Sequence, residues 1–355
     1  MWAALPGPID PAPFEPSAPP ELAGALAVNE LLRQAELIAP GRVPGGEDVA
    51  VDAAGRLYTG TVDGRILRLE RGSPGRAGED HAGAAAGDGW QVGTFAVTGG
   101  RPLGLDFAPN GDLIVCDARR GLLRVNPAGE VEILATEAGG LPFGFTNDLE
   151  VAADGRIYFT DASSRFGADE YLHDLLEARP HGRFLVHDPA TGATRVLAAG
   201  LYFANGVALS ADESFAVLAE TYRYRLLRCP LAAGEGSGCE VFADNLPGFP
   251  DGVASDGTGT FWTALFTVRN PAVDRLHPHP WFKRLLAKLP RALWPKPEPY
   301  GLVLALDEEG RIVRSLHDTG GERVREVTSA EPYGGALYLG TLRGDRIARW
   351  RPPAG

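Results

Sequence analysis

The chain has 355 residues, of which 44% are hydrophobic and 23% charged, so it has enough apolar material for a core and does not resemble a disordered segment. Its 46 Gly and 29 Pro favour many turns and short strands over long helices. The 34 basic and 46 acidic side chains give a net charge of −12, and an acidic surface repels phosphate backbones. Nucleic acid is therefore not expected as a partner.

Targeting signals and cysteines indicate the compartment. No run approaches the roughly 18 apolar residues of a membrane span, and the first residues lack the basic start and apolar stretch of a secretory signal. Three cysteines, Cys116, Cys229 and Cys239, are too few for a disulfide framework. Cys229 and Cys239 could face each other across a hairpin, but free thiols are expected in a reducing compartment. We therefore expect a cytoplasmic protein, and the sequence does not indicate its oligomeric state.

Residues 1–40 are rich in proline, which prevents regular structure and predicts an arm that wraps around a domain. After this arm a hairpin pattern recurs, in which two alternating apolar runs flank a turn containing Asp or Asn and Gly. The copies begin at Glu47, Pro102, Asn147, Asn205 and Asp251, with a degenerate sixth at Glu326. The first five starts are 55, 45, 58 and 46 residues apart, close to the roughly 40–50 residues of a propeller blade.

Six such repeats predict a single all-β domain, a six-bladed β-propeller over residues 41–355, because blades that cannot bury both faces alone stack radially. The segment from Leu37 to Ala39 is expected to pair with the last blade and close the ring.

The fifth and sixth copies start 75 residues apart, which indicates an insertion in the fifth blade at residues 270–300. Large apolar residues recur there at helical spacing: Trp281, Phe282, Leu285, Leu286 and Leu289. With basic residues between them, they predict a short amphipathic helix that ends near Pro290. Three roles are open: a helix packed on the rim, a lid over the active face, or peripheral contact of residues 281–294 with a membrane surface.

Four copies open with an oxygen-bearing side chain directly before the innermost strand: Glu47, Asn147, Asn205 and Asp251. Equivalent strand starts of a propeller converge on its central channel, so these four side chains are expected to meet at one end of the axis. Two carboxylates and two amide carbonyls offset the charge of a divalent cation and leave positions open among the six to eight oxygen ligands that calcium prefers, whereas magnesium requires tighter octahedral geometry. Zinc is disfavoured because no cluster of His or Cys accompanies the four residues. The pattern therefore predicts a Ca²⁺ site.

Longer motifs carry a resemblance to known proteins. The stretches EDVAVD, LPFGFTNDLEV, GLYFANGVALSADESFAVLAET and DNLPGFPDGVAS resemble the calcium-dependent six-bladed propeller group of gluconolactonase-like lactonases, paraoxonases and diisopropylfluorophosphatase. Within this group the chain looks most similar, over nearly its whole length, to strictosidine synthase-like and adipocyte plasma membrane-associated protein-like proteins. The resemblance implies that Glu47, Asn147, Asn205 and Asp251 hold the catalytic calcium of the hydrolases. It gives Asp148 either a share in a second, structural calcium or a hydrogen-bonded turn.

Two departures from these relatives bear on the mechanism. Leu103 stands where paraoxonases have a catalytic histidine, which argues against a His-pair mechanism. Strictosidine synthases condense an amine with an aldehyde through a glutamate of the last blade, and Glu326 is the best match to it. Strictosidine synthase itself lacks most of the metal-binding residues that are intact here, which favours hydrolysis.

The sequence thus predicts a calcium-dependent hydrolase of lactones or activated esters, with phosphotriesters as a further class. The metal would polarise the substrate oxygen for attack by water, and Asp251 would assist as general base or nucleophile, with Glu326 as the reserve base. Two alternatives stay open: an amine–aldehyde condensing enzyme using Glu326, and a non-catalytic binding propeller. His277 and His279 of the insertion are expected at water-exposed loop positions.

Overall fold

The computed structural model describes residues 7–72, 88–231 and 238–353. These residues form six antiparallel sheets of four strands each and one two-stranded hairpin, and each of the first five four-stranded sheets is built from consecutive strands. The sheets are the blades of a six-bladed β-propeller, so the predicted all-β fold is confirmed. The bounds of its elements show how the chain is divided among the blades.

Strand β1 (Glu36–Ile38) precedes the first blade, which contains β2 (Ala50–Val51), β3 (Leu57–Gly60), β4 (Arg65–Arg71) and β5 (Trp90–Val97). The second blade contains β6 (Pro102–Phe107), β7 (Leu113–Asp117), β8 (Gly121–Val125) and β9 (Val131–Ala135). A small hairpin of β10 (Glu137–Ala138) and β11 (Leu141–Pro142) leads to the third, formed by β12 (Thr146–Val151), β13 (Ile157–Asp161), β14 (Gly182–Asp188) and β15 (Ala193–Leu201).

The fourth blade contains β16 (Ala204–Leu209), β17 (Phe215–Glu220), β18 (Arg225–Pro230) and β19 (Glu240–Ala243). The fifth contains β20 (Gly248–Ser255), β21 (Phe261–Val268), β22 (Gly301–Leu306) and β23 (Ile312–Asp318). The sixth contains β24 (Val327–Tyr333), β25 (Ala336–Thr341) and β26 (Ile347–Trp350). Within the described ranges, three short α-helices lie between strands: α1 (Tyr171–Glu177), α2 (Pro271–Leu276) and α3 (Pro280–Leu286).

The N-terminal segment closes the ring. Strand β1 pairs antiparallel with β26, in a register that places Glu36 opposite Arg349 and Ile38 opposite Ile347. The sixth sheet therefore takes its outer strand from the start of the chain, as predicted for the segment around Leu37. This pairing joins the start of the chain to its last blade and closes the ring.

Carboxylates of the inner strands tie neighbouring blades together. Each accepts a hydrogen bond from a backbone N–H of the next inner strand, and the pairs are Asp48 with Leu105 (2.9 Å), Asp106 with Val151 (2.8 Å) and Asp148 with Val207 (3.1 Å). Apolar layers fill the space between the blades farther from the axis. In one layer the ring of Tyr58 meets those of Phe95 and Phe107 edge-on, with both centroid distances at 5.1 Å. Burial of each such side chain contributes roughly 1.5–3 kcal/mol.

The N-terminal arm joins the insertions of the third and fifth blades. Helix α1 lies between β13 and β14, and α2 and α3 lie between β21 and β22. The arm donates hydrogen bonds from Ala12 N to Glu177 O (2.8 Å) and from Phe14 N to His277 O (3.1 Å). The arm therefore connects the C-terminal ends of α1 and α2 through its backbone.

The insertion contains a short helix, as predicted, but the helix ends before Pro290 and buries a basic residue. Helix α3 ends at Leu286, and it buries Lys283 while Trp281 and Phe282 are 56% and 52% exposed. The ammonium of Lys283 donates a hydrogen bond to the carbonyl of Ala12, so this buried lysine is paired with the distant arm. No helix among the described residues is long and apolar enough to cross a membrane.

His277 also departs from the expectation, whereas His279 is exposed as predicted. Only 1% of the surface of His277 is accessible, because the ring of Phe14 covers it at a centroid distance of 5.2 Å. The arm therefore buries a side chain that local sequence placed in a water-exposed loop.

The expectation of free thiols at Cys229 and Cys239 is wrong. The two residues form a disulfide with ten residues of sequence separation, and Cys116 is the free, buried cysteine. Cys229 ends β18 beside the start of the outer strand β19, so the blade hairpin brings the two thiols together. Because two of the three cysteines are bridged, the cysteines do not support a reducing compartment.

Replacing both bridged cysteines with serine is expected to lower the free energy of unfolding by about 2–3 kcal/mol, since the bridge restricts the unfolded chain. Thiol titration of the wild-type chain in denaturant without reductant should find one thiol, that of Cys116. Three titratable thiols, or equal denaturation midpoints for the wild type and the double variant, would contradict the bridge.

Candidate active site

The inner strands place one residue of each blade at an equivalent position near the axis. In four blades this residue follows the first cross-strand pair of the inner strand, for example Asn205 after the pair of Ala204 with Glu220, and in the fifth blade Asp251 follows the second pair, that of Pro250 with Leu265. The five residues are Leu103, Asn147, Asn205, Asp251 and Thr328. Glu47, just before β2, completes the ring. The register therefore brings residues from all six blades to one level.

The four predicted oxygen donors meet in one small cavity of about 220 Å³ on the axis. Glu47, Asn147, Asn205 and Asp251 all line it, with 9%, 4%, 5% and 8% of their surfaces exposed. The same four residues line the floor of a larger cavity above. The donors are distant in the sequence and are gathered by closure of the ring.

Hydrogen bonds hold the amide and carboxylate side chains in place. The Asn205 side chain donates to Thr221 Oγ1 at 3.2 Å and also donates to the carboxylate of Asp251. Thr221 Oγ1 in turn donates to the carbonyl of Pro250 at 2.7 Å. On the other side, Thr328 Oγ1 donates to the backbone carbonyl of Glu47 at 2.6 Å. The donors of the fourth, fifth and first blades are thus positioned by neighbouring blades.

The two carboxylates of the ring have little compensating charge. Burial raises the pKa of Glu47 to about 7, although the nearby Arg101 opposes the rise. Burial raises the pKa of Asp251 well above its usual value, and the Glu47 carboxylate raises it further. Arg101 Nη2 is 3.9 Å from Glu47 Oε2, and both atoms are buried without a hydrogen-bond partner among the described residues. Glu47 therefore keeps an unsatisfied oxygen at the cavity.

The donor set fits a hard divalent cation. Its atoms are carboxylate and amide oxygens, which calcium prefers, and an unsatisfied buried oxygen is the kind of group that an ion would satisfy. No group of three or more His, Cys, Asp and Glu side chains within residues 7–72, 88–231 and 238–353 has the arrangement of a metal cluster. The site instead combines two acids with two amides, and this chemistry disfavours zinc.

Glu326 is not brought together with these four residues. It lies two positions before Thr328, lines neither of the two cavities, and forms an ion pair with Arg343 at 3.2 Å. The sixth repeat therefore contributes Thr328 to the ring, because Val327 pairs with Thr341 and sets the register.

Asp148 lies directly beneath the ring and is held by backbone groups. Its Oδ1 accepts from Leu149 N at 2.9 Å and its Oδ2 from Val207 N at 3.1 Å. Burial, followed by the charge of Asp48, raises the pKa of Asp148 well above its usual value. The hydrogen-bonded role that the sequence left open is thus present, beside the cavity that Asp148 also lines.

An aromatic cavity of about 960 Å³, including its solvent-open part, lies above the four donors. Its aromatic wall consists of Phe145, Tyr171, Phe203, Tyr222, Phe249 and Phe266. Phe203 stacks on Tyr222 at a centroid distance of 4.4 Å and adopts a left-handed backbone conformation with φ of 57°. Such a conformation is uncommon for a bulky residue and indicates that the surrounding structure holds the ring in place.

These wall residues were not predicted, although the repeats contain a signal for them. A phenylalanine stands two positions before three of the donors: Phe145 before Asn147, Phe203 before Asn205 and Phe249 before Asp251. Arg101 holds the same place before Leu103 and also lines the cavity. The repeat thus specifies a second level of side chains, immediately above the ring of donors.

Comparison with known sequences supports the architecture and the lineage. The family model described as strictosidine synthase matches residues 147–232, and the model of the strictosidine synthase-like N-terminal region matches residues 24–69. Adipocyte plasma membrane-associated protein of Mus musculus is 39% identical over 97% of this chain and 84% of its own length. Protein strictosidine synthase-like 10 of Arabidopsis thaliana is 36% identical over 92% of this chain and 89% of its own. The chain belongs to the strictosidine synthase-like family.

Solved structures share the fold of this strictosidine synthase-like chain at low sequence identity. A gluconolactonase from Xanthomonas campestris superposes with a TM-score of 0.62 at 20% identity, covering 99% of both chains. Regucalcin from Agrobacterium tumefaciens, described as a calcium-binding protein, gives a TM-score of 0.60 at 16% identity over 88% of this chain and 92% of its own. These similarities establish the propeller fold.

Further acids line the channel below the donors. Asp48, Asp106, Asp148, Glu150 and Glu331 line one cavity there. Burial raises the pKa of Glu331 well above its usual value, and the charges of Asp48 and Glu150 raise it further. A carboxyl group that binds its proton more tightly in the folded chain contributes stability at low pH, and this contribution is lost as the pH rises through the folded pKa.

The substitution Glu331→Gln is expected to raise the free energy of unfolding at pH 8 by on the order of 1–2 kcal/mol and to change it little at pH 5, because it removes one charge from the cluster. Chemical denaturation in a chelating buffer measures both values. The exposed Glu309→Gln serves as the control and should have no effect at either pH. An equal effect of Glu331→Gln at both pH values would show that electrostatic repulsion is not its cause.

Proposed function

We propose that this protein is a calcium-dependent hydrolase of lactones or activated esters that carry an apolar or aromatic group. The observation that supports this most is the convergence of Glu47, Asn147, Asn205 and Asp251 at the floor of an aromatic cavity, with Glu47 Oε2 unsatisfied. A metal-binding floor beneath a substrate-sized cavity is the arrangement that metal-assisted hydrolysis requires.

The four donors would hold the ion through their side-chain oxygens. When bound, calcium supplies a Lewis acid that polarises a carbonyl oxygen and stabilises the negative charge developing on it. Asn205 donates a hydrogen bond to Asp251 and so orients that carboxylate toward a fixed position in the floor. Asp251 then assists the attack on the carbonyl carbon, either by taking a proton from water or by attacking directly.

The cavity walls favour an apolar substrate over a polyhydroxylated one. Leu103 places an apolar side chain at the ring position of the second blade, and Phe145, Phe203 and Phe249 stand directly above the donors. Aromatic walls contribute through buried area and ring contacts, whereas the hydroxyl groups of a sugar lactone would find few partners there. Aryl esters and lactones with an aromatic or alkyl substituent are therefore the proposed class.

Two other functions were considered. An amine–aldehyde condensing enzyme would need Glu326 in the cavity, but Glu326 forms an ion pair with Arg343 and does not line it. The non-catalytic propeller makes a distinct prediction, because calcium would raise the melting temperature by binding the folded state while hydrolysis stayed absent. Calorimetry and activity assays on the same preparation separate these outcomes.

Removal of calcium by a chelator is expected to abolish hydrolysis of aryl esters and lactones, and re-addition of calcium should restore it. Asp251→Asn should lower kcat/KM by about 10²–10³-fold, since it removes a charged ligand and the assisting carboxylate together. The matched control is Asp256→Asn, in a turn of the same blade, which should keep wild-type activity because its carboxylate only accepts bonds from Thr258 and Thr260.

Steady-state assays before and after chelation measure these effects. Full activity in the chelated enzyme, or in Asp251→Asn, would refute the proposal. Stabilisation by calcium with no hydrolysis of any ester or lactone would assign the protein to the non-catalytic class.

The aromatic wall yields a separate prediction about substrate choice. Phe249→Leu should lower kcat/KM for an aryl ester by about 2–10-fold, the value of one aromatic contact, and leave that for a small aliphatic lactone nearly unchanged. Phe242→Leu, a substitution of a buried ring in the core between blades, is the control for general loss of packing. Equal losses on both substrates would show that Phe249 does not select the substrate.

A further inference from the structure

Helix α3 presents two adjacent aromatic side chains to solvent. Trp281 and Phe282 are 56% and 52% exposed, and their rings meet at a centroid distance of 4.8 Å. Across residues 7–72, 88–231 and 238–353, no other Trp or Phe is exposed to this degree. The same insertion also exposes Leu293, at 65%. Isolated exposed apolar residues are common, but a contiguous aromatic pair marks an interaction site.

The packing of α3 fixes this exposure. Lys283, the residue next to the pair, is fully buried and donates a hydrogen bond to the carbonyl of Ala12 in the arm. Arg284 adds an ion pair with Asp10 at 3.4 Å. A helix that served only to cover the propeller would bury its aromatic rings and expose its lysine. The arm holds α3 in the opposite orientation, so the aromatic pair is displayed by the folded structure itself.

The charge around the pair is opposite to that of the whole protein. From residue 275 to residue 297 the chain contains no Asp or Glu, and it carries six cationic side chains: Arg275, Lys283, Arg284, Lys288, Arg291 and Lys296. The complete chain has a net charge of −12. Lys283 is buried, whereas Arg275, Arg291 and Lys296 are exposed. Exposed aromatic rings in a basic segment are the composition that binds the interface of an anionic bilayer.

The basic insertion also forms part of the candidate active site. Val273 and residues 295–297 line the aromatic cavity above the four oxygen donors. We propose that α3 docks on an anionic phospholipid surface, with Trp281 and Phe282 inserted among the headgroups and the exposed Arg275, Arg291 and Lys296 facing lipid phosphates. Docking through this insertion brings a wall of the cavity next to the membrane, where apolar compounds concentrate. The binding surface stands independently of the hydrolytic activity.

The test uses the full chain and vesicles. Sedimentation with phosphatidylcholine vesicles containing about 30% phosphatidylserine is expected to carry the wild type down, and pure phosphatidylcholine vesicles should bind it more weakly. The double variant Trp281→Ser/Phe282→Ser should bind the anionic vesicles about tenfold or more weakly, and about 0.5 M NaCl should weaken binding by the wild type. Because both side chains are exposed, the variant should keep the wild-type melting temperature.

The matched control is Val241→Ser/Val313→Ser, which removes two exposed apolar side chains, 51% and 54% exposed, from other blades and should bind as the wild type does. Absence of vesicle binding by the wild type, or equal binding by the aromatic double variant, would overturn the proposal. Self-association of the wild type in size-exclusion chromatography that the aromatic double variant loses, without any vesicle binding, would also overturn it and assign the surface to a second copy of the chain. Hydrolysis of a soluble ester by both variants, measured separately, keeps this result distinct from the catalytic proposal.

Discussion

The pairing of β1 with β26 joins residues 36–38 to residues 347–349 and turns six consecutive sheets into a ring. Without this pairing the six sheets would form an open stack, and nothing would hold the donors of the first and fifth blades close together. Bonds such as that from Leu105 N to Asp48 reinforce the closure near the axis. The candidate site is therefore a property of the closed ring and not of any single blade or local motif.

Closure also concentrates negative charge. Glu47 and Asp251 share one cavity, further carboxylates line the channel below, and Arg101 is the cation recorded beside Glu47. Buried carboxylates with so little compensation destabilise the ring when they are charged, because burial and mutual repulsion act in the same direction. A bound divalent cation would offset both effects, so binding of calcium and stability of the folded chain are expected to be linked.

The repeats carried enough information to predict the propeller and the convergence of its four oxygen donors, because hairpin periodicity and strand register are local properties. The sequence did not reveal features that depend on contacts between distant segments. Lys283 is buried and bonded to Ala12, far away in the chain, so the sequence of the insertion alone did not show which side chains of α3 would be covered. The sixth repeat is degenerate, and its start was predicted at Glu326, whereas the ring position is taken by Thr328, two residues later. Only the pairing of β24 with β25 shows this register. The Phe-x-Asn and Phe-x-Asp pattern is present in the sequence, but only the folded structure shows that these phenylalanines line the cavity above the donors.

A crystal structure of the protein grown with calcium, with anomalous scattering to identify the ion, tests the account most directly. We expect one ion on the axis, coordinated by side-chain oxygens of Glu47, Asn147, Asn205 and Asp251 at the roughly 2.3–2.6 Å typical of calcium. An axial cavity without an ion at saturating calcium, or an ion bound elsewhere with Glu47 and Asp251 uncoordinated, would contradict it.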